Sequence, residues 1–299
     1  MRSHKLDSSI SYYAIFLTVR YLPPRLCYWL GKIVVSLIYA FSYKDREGLA
    51  YNLSLVMDRP INDSLVRKTV RQTFTNYGRY LVDFFLIPQL PFYKMKRYFP
   101  DIRGEDILKR ALTRRKGVIL ISAHLGNWEI GGSLLRFLQY PFAMVAMSHN
   151  TATTNALVNN LRSQKGISII EMDPQSPFSS IEILHHLRNN EIVAMMGDKD
   201  FSGRGRPTTF FDRKVMFPVG PVMMAMKSGA ALIPVFVLKR PDGRYVGILE
   251  EAIPLDTKSD LDDAIDKNLN KTARIFEKYI RSNPDQWYCP DPITERMPQ

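Results

Sequence analysis

His124 stands directly after an apolar run in "GVILISAHLGNWEIGG" (residues 117–132), and Glu129 follows five positions later. A histidine oriented by a carboxylate is a general base that works near neutral pH. On one continuous helix, residues five apart point about 140° apart and do not pair. The two side chains approach only if His124 lies in a loop before the helix and folds back, and Gly126 permits that turn. Asn127 then suits the helix N-cap, and Glu129 falls in the first turn, where the helix dipole favours a carboxylate. The plainer alternative is a structural His–carboxylate hydrogen bond with no chemistry attached to it.

A second carboxylate, Asp198, lies in "MMGDKDFSGRGRP" (residues 195–207), again just after an apolar run. It could share a cleft with His124, so either Glu129 or Asp198 can be its partner. Arg204 and Arg206 follow in a glycine-bearing loop that suits a phosphate or an anionic headgroup, or else a solvated turn. Phe211 belongs to the rigid apolar stretch "TTFFDRKVMFPVGP" (residues 208–221), which could wall an acyl chain or be plain core.

Elements that must position these residues are legible as short apolar runs. "GVILIS", "FAMVAM", "ISII", "IVAMMG" and "ALIPVFVL" read as buried parallel strands, and "YVGILE" as an edge strand. Helical segments fall between them near 128–138, 151–163, 179–189 and 219–228, and a long helix closes the chain at about 260–282. Strands alternating with helices predict an α/β fold, a mostly parallel mixed sheet flanked by helices. In such sheets ligands gather at the carboxyl ends of the strands, where His124 and Asp198 both sit. Upstream, helices are expected over 45–57 and from Asp63 or Ser64 to about Leu86, ended by Pro88 and Pro91.

The net charge of +12 is unevenly spread. The first 116 residues hold 21 Lys+Arg against 9 Asp+Glu, and the remainder 20 against 20. Ile10 to Tyr43 is apolar and aromatic, but Arg20, Arg25 and Lys32 interrupt it and Pro23-Pro24 divides it. Two short helices lying in a membrane interface fit this pattern best, with cations at the headgroups. Ordinary core helices, or a single span over Leu26 to Tyr43, are the alternatives. The expected division is residues 1–44 as membrane-associating helices and 45–299 as the α/β domain, including the helical 45–116. Nucleic acid is not an expected partner, because the cations alternate with aliphatic runs and no recognition motif occurs. No P-loop, G-x-G-x-x-G or G-x-S-x-G is present, and neither the two cysteines nor His149, His185 and His186 have metal-ligand spacing, so no metal or cofactor is expected.

Taken in order, these motifs resemble the lysophospholipid acyltransferase superfamily, in its branch of bacterial lipid A biosynthesis acyltransferases. The resemblance rests on "AHLGNWE", an H-x4-D/E motif, together with "YNLSLVMD" (51–58), "NNLRSQKG" with Arg162, "GDKD" with Asp198, "TFF" (209–211), "FPVGP" (217–221), "GAALIPVFVLKR" and "RSNPDQW" (281–287). It implies a membrane-associated enzyme that moves a fatty acyl group from an acyl carrier protein or coenzyme A thioester to a lipid hydroxyl. The acceptor it implies first is a lipid A precursor; an aminolipid or a phosphatidylinositol mannoside is the alternative. It further implies His124 as the base, Glu129 or Asp198 as its support, and Arg162 on anionic substrate groups; Asn127, Arg204, Arg206 and Phe211 are the further substrate contacts expected from the residues themselves. The expected location is the cytoplasmic face of a bacterial inner membrane. After Trp287, "YCPDPITERMPQ" departs from the aromatic and basic continuation usual in that branch.

Overall fold

Pro23-Pro24 splits the apolar N-terminus as expected: α1 (Ser9–Tyr21) and α2 (Pro24–Phe41) are separate helices. The computed structural model describes residues 9–147, 168–172 and 178–293. α3 (Tyr43–Met57) ends at Asp58 in the left-handed conformation, with φ 51°. α4 (Ser64–Leu86) is capped by Asp63, whose carboxylate accepts from Leu65 N at 2.7 Å. α2 lies close against α4 at Gly78, where an added Cβ would come 3.0 Å from Val35 Cβ. Val19, Cys27, Val82, Phe84 and Phe85 bury the contact between the first two helices and α4. Among the described residues no single helix is long and apolar enough to cross a membrane; α2 and α3 pass that test only jointly, across a 90° bend.

α5 (Phe92–Tyr98), the short strand β1 (Asp101–Arg103) and α6 (Glu105–Thr113) lead into the sheet. Its strands are β2 (Val118–Ser122), β3 (Phe142–Met147), β4 (Ser168–Met172), β5 (Ile192–Met196), β8 (Ala231–Lys239) and β9 (Tyr245–Leu249), with β1 at one edge. The order is β1-β9-β8-β2-β5-β3-β4. Every pair is parallel except β8 with β9, so the architecture is the mostly parallel mixed α/β sheet the apolar runs imply. All five residues of β2 are buried, which is why that strand reads as a continuous apolar run.

Side-chain parity assigns the two faces. Val118, Leu120, Ile192 and Ile233 meet α6 and the helix after β2, α7 (Glu129–Phe137). Ile119, Ile121, Val193 and Leu232 meet α8 (Phe178–Arg188), α9 (Gly220–Ser228) and α10 (Leu261–Ser282). The stretch read as an apolar loop is instead a two-stranded hairpin, β6 (Arg206–Phe210) and β7 (Arg213–Phe217). Its two-residue turn holds Phe211 and Asp212 at φ 49° and 60°, the paired left-handed conformation that fits the strand twist. The helix expected at 151–163, with Arg162, lies outside the described residues, as does His149.

As far as Ile293, the segment after Trp287 is clamped to α3. Asn52 donates to the carbonyls of Cys289 and Asp291 at 2.6 and 2.8 Å and accepts from Ile293 N at 2.8 Å. Tyr288 stacks on Tyr77 with ring centroids 3.9 Å apart. Cys27 and Cys289 are both buried and free.

Candidate active site

Strand register brings His124 to its carboxylate. β2 and β5 pair from Val118–Ile192 to Ser122–Met196, so residues two beyond each strand end are neighbours. Those residues are His124 and Asp198. Gly197 N, donating to Ser122 O at 2.8 Å, keeps the two strand ends together. His124 N donates to Asp198 Oδ2 at 2.9 Å, and its ring Nδ1 lies 2.7 Å from Asp198 Oδ1. Asp198 thus grips both the backbone and the ring of the same histidine.

The Asp198 side chain is 1% exposed and that of His124 20%. Burial pushes the Asp198 carboxyl up, but the His124 charge and the two hydrogen bonds from His124 outweigh it and hold the group below its ordinary value. An ionised carboxylate only accepts, so the neutral imidazole carries its proton on Nδ1 and presents the Nε2 lone pair. Trp128 and Phe201 flank the ring edge-to-face, at 4.9 and 6.2 Å.

The loop carrying His124 is stitched down on its far side. Gly126 N donates to Gln286 O at 3.0 Å and Asn127 N to Val237 O at 2.8 Å. Gly126 has φ +69°, and a Cβ there would lie 2.1 Å from Val237 O, so only glycine allows this approach.

The expected site residues divide sharply. Asp198, rather than Glu129, is the carboxylate on His124 Nδ1; Glu129 starts α7 and lines the same cavity. Asn127 does not cap α7: its side chain is buried and its Nδ2 points at Tyr245 Oη, 3.4 Å away, while the cap position is Trp128. Arg204 lines the cavity. Arg206 does not, because two carboxylates of α10 engage it, Asp262 at 2.6 Å and Asp266 at 2.8 Å. Phe211 is core rather than cavity wall: it packs on Phe210 and Trp287, its backbone N donates to Glu277 at 2.6 Å, and the Arg281 guanidinium lies 5.0 Å above its ring. Arg162 lies outside the described residues. Trp128 and Phe201, which clamp the imidazole, were not singled out from sequence; the signal was their position beside the histidine and aspartate motifs.

The cavity in front of His124 measures about 750 Å³. Its lining comes from both faces of the sheet. On the α7 face Leu120, Met144, Val235 and Leu249 line it, as do Leu134 of α7 and Leu138 just after that helix. Gly131 and Gly132 of α7 also line the cavity, with no side chain to fill it. On the opposite face the lining includes Met147, Met172, Met195 and Val219, with Ser179 and Ser180. Among the described residues no cluster of three or more His, Cys, Asp or Glu side chains is arranged to hold a metal ion.

A family model described as bacterial lipid A biosynthesis acyltransferase matches residues 4–289. The chain belongs to that family. Phosphatidylinositol mannoside acyltransferase of Mycolicibacterium smegmatis is 26% identical over 287 residues, covering 95% of this chain and 90% of the relative. Its counterpart in Mycobacterium tuberculosis is 30% identical over 254 residues, covering 82% and 76% respectively. Lipid A biosynthesis palmitoleoyltransferase of Escherichia coli is 25% identical over 278 residues, covering 91% and 86%. The protein is an acyltransferase of the lipid A and glycolipid type. The cavity's lining is mostly apolar, and it includes the histidine that Asp198 orients.

Proposed function

We propose that this acyltransferase moves a fatty acyl group from an acyl carrier protein or coenzyme A thioester to a hydroxyl of a membrane glycolipid. The observation that carries the reading is the His124–Asp198 pair opening on an apolar cavity. His124 Nε2 takes the proton of the acceptor hydroxyl as its oxygen attacks the thioester carbonyl. Asp198 holds the ring and stabilises the imidazolium that forms. The tetrahedral adduct then collapses, the C–S bond breaks, and the imidazolium returns its proton to the departing sulfur. No acyl-enzyme is formed.

The donor's acyl chain lies along the α7 face of the cavity, where Leu120, Leu134, Met144, Val235 and Leu249 supply an apolar lining. Arg204 meets an anionic group of donor or acceptor, and Arg162 supports substrate binding. Glu129 shapes the entrance. A lipid A precursor is the first acceptor. A phosphatidylinositol mannoside is a second reading, favoured by relatives of that name that match at 26–30% identity against 23–25% for the lipid A enzymes.

The protein sits peripherally on the cytoplasmic face of a bacterial inner membrane, held by the helices of residues 1–44. On α2, Trp29, Ile33, Leu37 and Phe41 recur every four residues and are 57%, 39%, 55% and 77% exposed. That apolar stripe, with Arg25 and Lys32 on the same helix, suits the boundary between acyl chains and anionic headgroups. Lipid mass spectrometry of cells with and without the gene tests the whole reading. A glycolipid one acyl group lighter in the deletion names both acceptor and chain; an unchanged lipid profile refutes it.

A further inference from the structure

Asp83 is a buried carboxylate that the His124–Asp198 chemistry leaves unused. It lies in α4 and is 3% exposed. Its oxygens collect phenols from two distant elements. Tyr28 of α2 donates to Oδ1, and Tyr245, at the start of β9, donates to Oδ2 at 2.6 Å. The Tyr245 oxygen accepts in turn from Asn127 Nδ2 at 3.4 Å. Asn127 stands three residues after His124 and is itself fully buried. Its Oδ1 has no hydrogen-bond partner among the described residues, so among them the bond to Tyr245 is the one side-chain hydrogen bond of Asn127. One turn earlier in α4, Tyr80 packs on Trp128, centroid to centroid 4.8 Å, and Trp128 packs on the His124 ring.

We propose that Asp83 is a positioning residue for the His124 loop, acting through Tyr245 and Asn127, and that it joins this loop to α2 through Tyr28. The backbone bonds to Gln286 and Val237 fix one side of the loop. The Asp83–Tyr245–Asn127 chain adds a side-chain tie to the same loop, so the imidazole is presented at one angle to the cavity. A buried carboxylate is a costly way to fill space, and an apolar residue of similar shape is commonly as stable or more so. What the carboxylate adds is direction, because its two lone-pair sets hold two phenols in fixed positions. Burial raises the Asp83 carboxyl above its usual range, partly offset by the Tyr245 and Tyr28 hydroxyls and the charges of Lys239 and Arg79. Through Tyr28, the same group fastens the helix that carries the exposed apolar stripe.

The inference rests on His124 being the base, and the test keeps the two apart. Tyr245→Phe removes one hydroxyl and keeps the ring. In the full-length protein it lowers kcat about tenfold or more, because small misplacements of a base are expensive, while KM for the acyl thioester stays within about twofold. The His124 Nδ1 proton resonance shifts at the same time, which a purely structural role would not cause if the melting curve is unchanged. Combined with Asn127→Ala, the kcat loss is no larger than that of the worse single variant, as expected of residues acting in series. A Tyr245→Phe enzyme with kcat within twofold of wild type, an unmoved resonance, or losses that multiply in the double variant overturns the proposal. If Tyr245→Phe does not fold, Asp83→Asn, which keeps both phenols, is measured by the same readouts. His124→Ala is run beside them: full activity there sinks the base assignment, whereas loss there with a normal Tyr245→Phe enzyme sinks only the role of Asp83.

Discussion

Asp198→Asn changes one oxygen to an amide nitrogen and is the sharpest single perturbation of the site. Asp198 now accepts twice from His124, at the backbone N–H and at ring Nδ1. An asparagine has one accepting atom, so neither of its two orientations leaves both contacts as they are. With its oxygen on Nδ1, the NH2 faces the His124 backbone N–H across 2.9 Å, donor against donor. With its oxygen on the backbone N–H, the NH2 faces Nδ1, so Nδ1 must accept and the ring proton moves to Nε2. The second arrangement satisfies every bond, so it prevails, and the base then points a proton instead of a lone pair into the cavity. Wrong-tautomer substitutions of this type lower kcat about 10⁴-fold in Ser-His-Asp enzymes, roughly 5.4 kcal/mol of transition-state stabilisation. We predict a loss of about 10³- to 10⁴-fold in kcat, KM within a few-fold and an intact fold. The assay is thiol release from an acyl thioester in the presence of acceptor lipid, with the ester product weighed by mass spectrometry. Activity within tenfold of wild type refutes the tautomer argument, as does an equal loss in Glu129→Gln with Asp198→Asn unaffected.

Three further outcomes follow from the geometry. Gly126→Ala places a Cβ 2.1 Å from Val237 O on a left-handed residue; such strain costs about 1–3 kcal/mol, so calorimetry shows a lower Tm and kcat falls with it. Trp29→Glu with Leu37→Glu strips the α2 stripe; each buried apolar side chain is worth roughly 1.5–3 kcal/mol, so sedimentation with anionic vesicles falls by tenfold or more while catalysis on detergent-dispersed substrate persists. Arg204→Ala raises KM for the acyl thioester several-fold, whereas Arg206→Ala leaves kcat and KM unchanged, because Arg206 serves two surface ion pairs, with Asp262 and Asp266, each worth at most about 1 kcal/mol.

The sheet was legible because its central strands are buried on both faces, leaving short apolar runs such as "VILIS" and "IVAMM". β1, three residues long, leaves no such run. The β6–β7 hairpin was hidden because Phe211 and Asp212 occupy a turn whose usual marker is Asn-Gly or Asp-Gly. His124 stood out by type and position, but its partner depended on the β2–β5 register, which spacing along the chain does not carry. Asn127 misled for a related reason: its capping propensity is local, and a distant tyrosine claims its amide. Arg204 and Arg206 looked equivalent until α10 supplied carboxylates to only one of them. Asp83 was invisible from sequence, since the phenols that bind it lie 55 and 162 residues away.

The central claim is direct transfer from thioester to lipid hydroxyl with His124 as base. A single turnover with a carbonyl-labelled acyl thioester and the acceptor glycolipid on vesicles tests it most directly. The label should appear in a glycolipid ester, with one thiol released per ester, no acylated protein by intact mass and no transfer by His124→Ala. An acyl-protein adduct on the path to product, or undiminished transfer by His124→Ala, would contradict it.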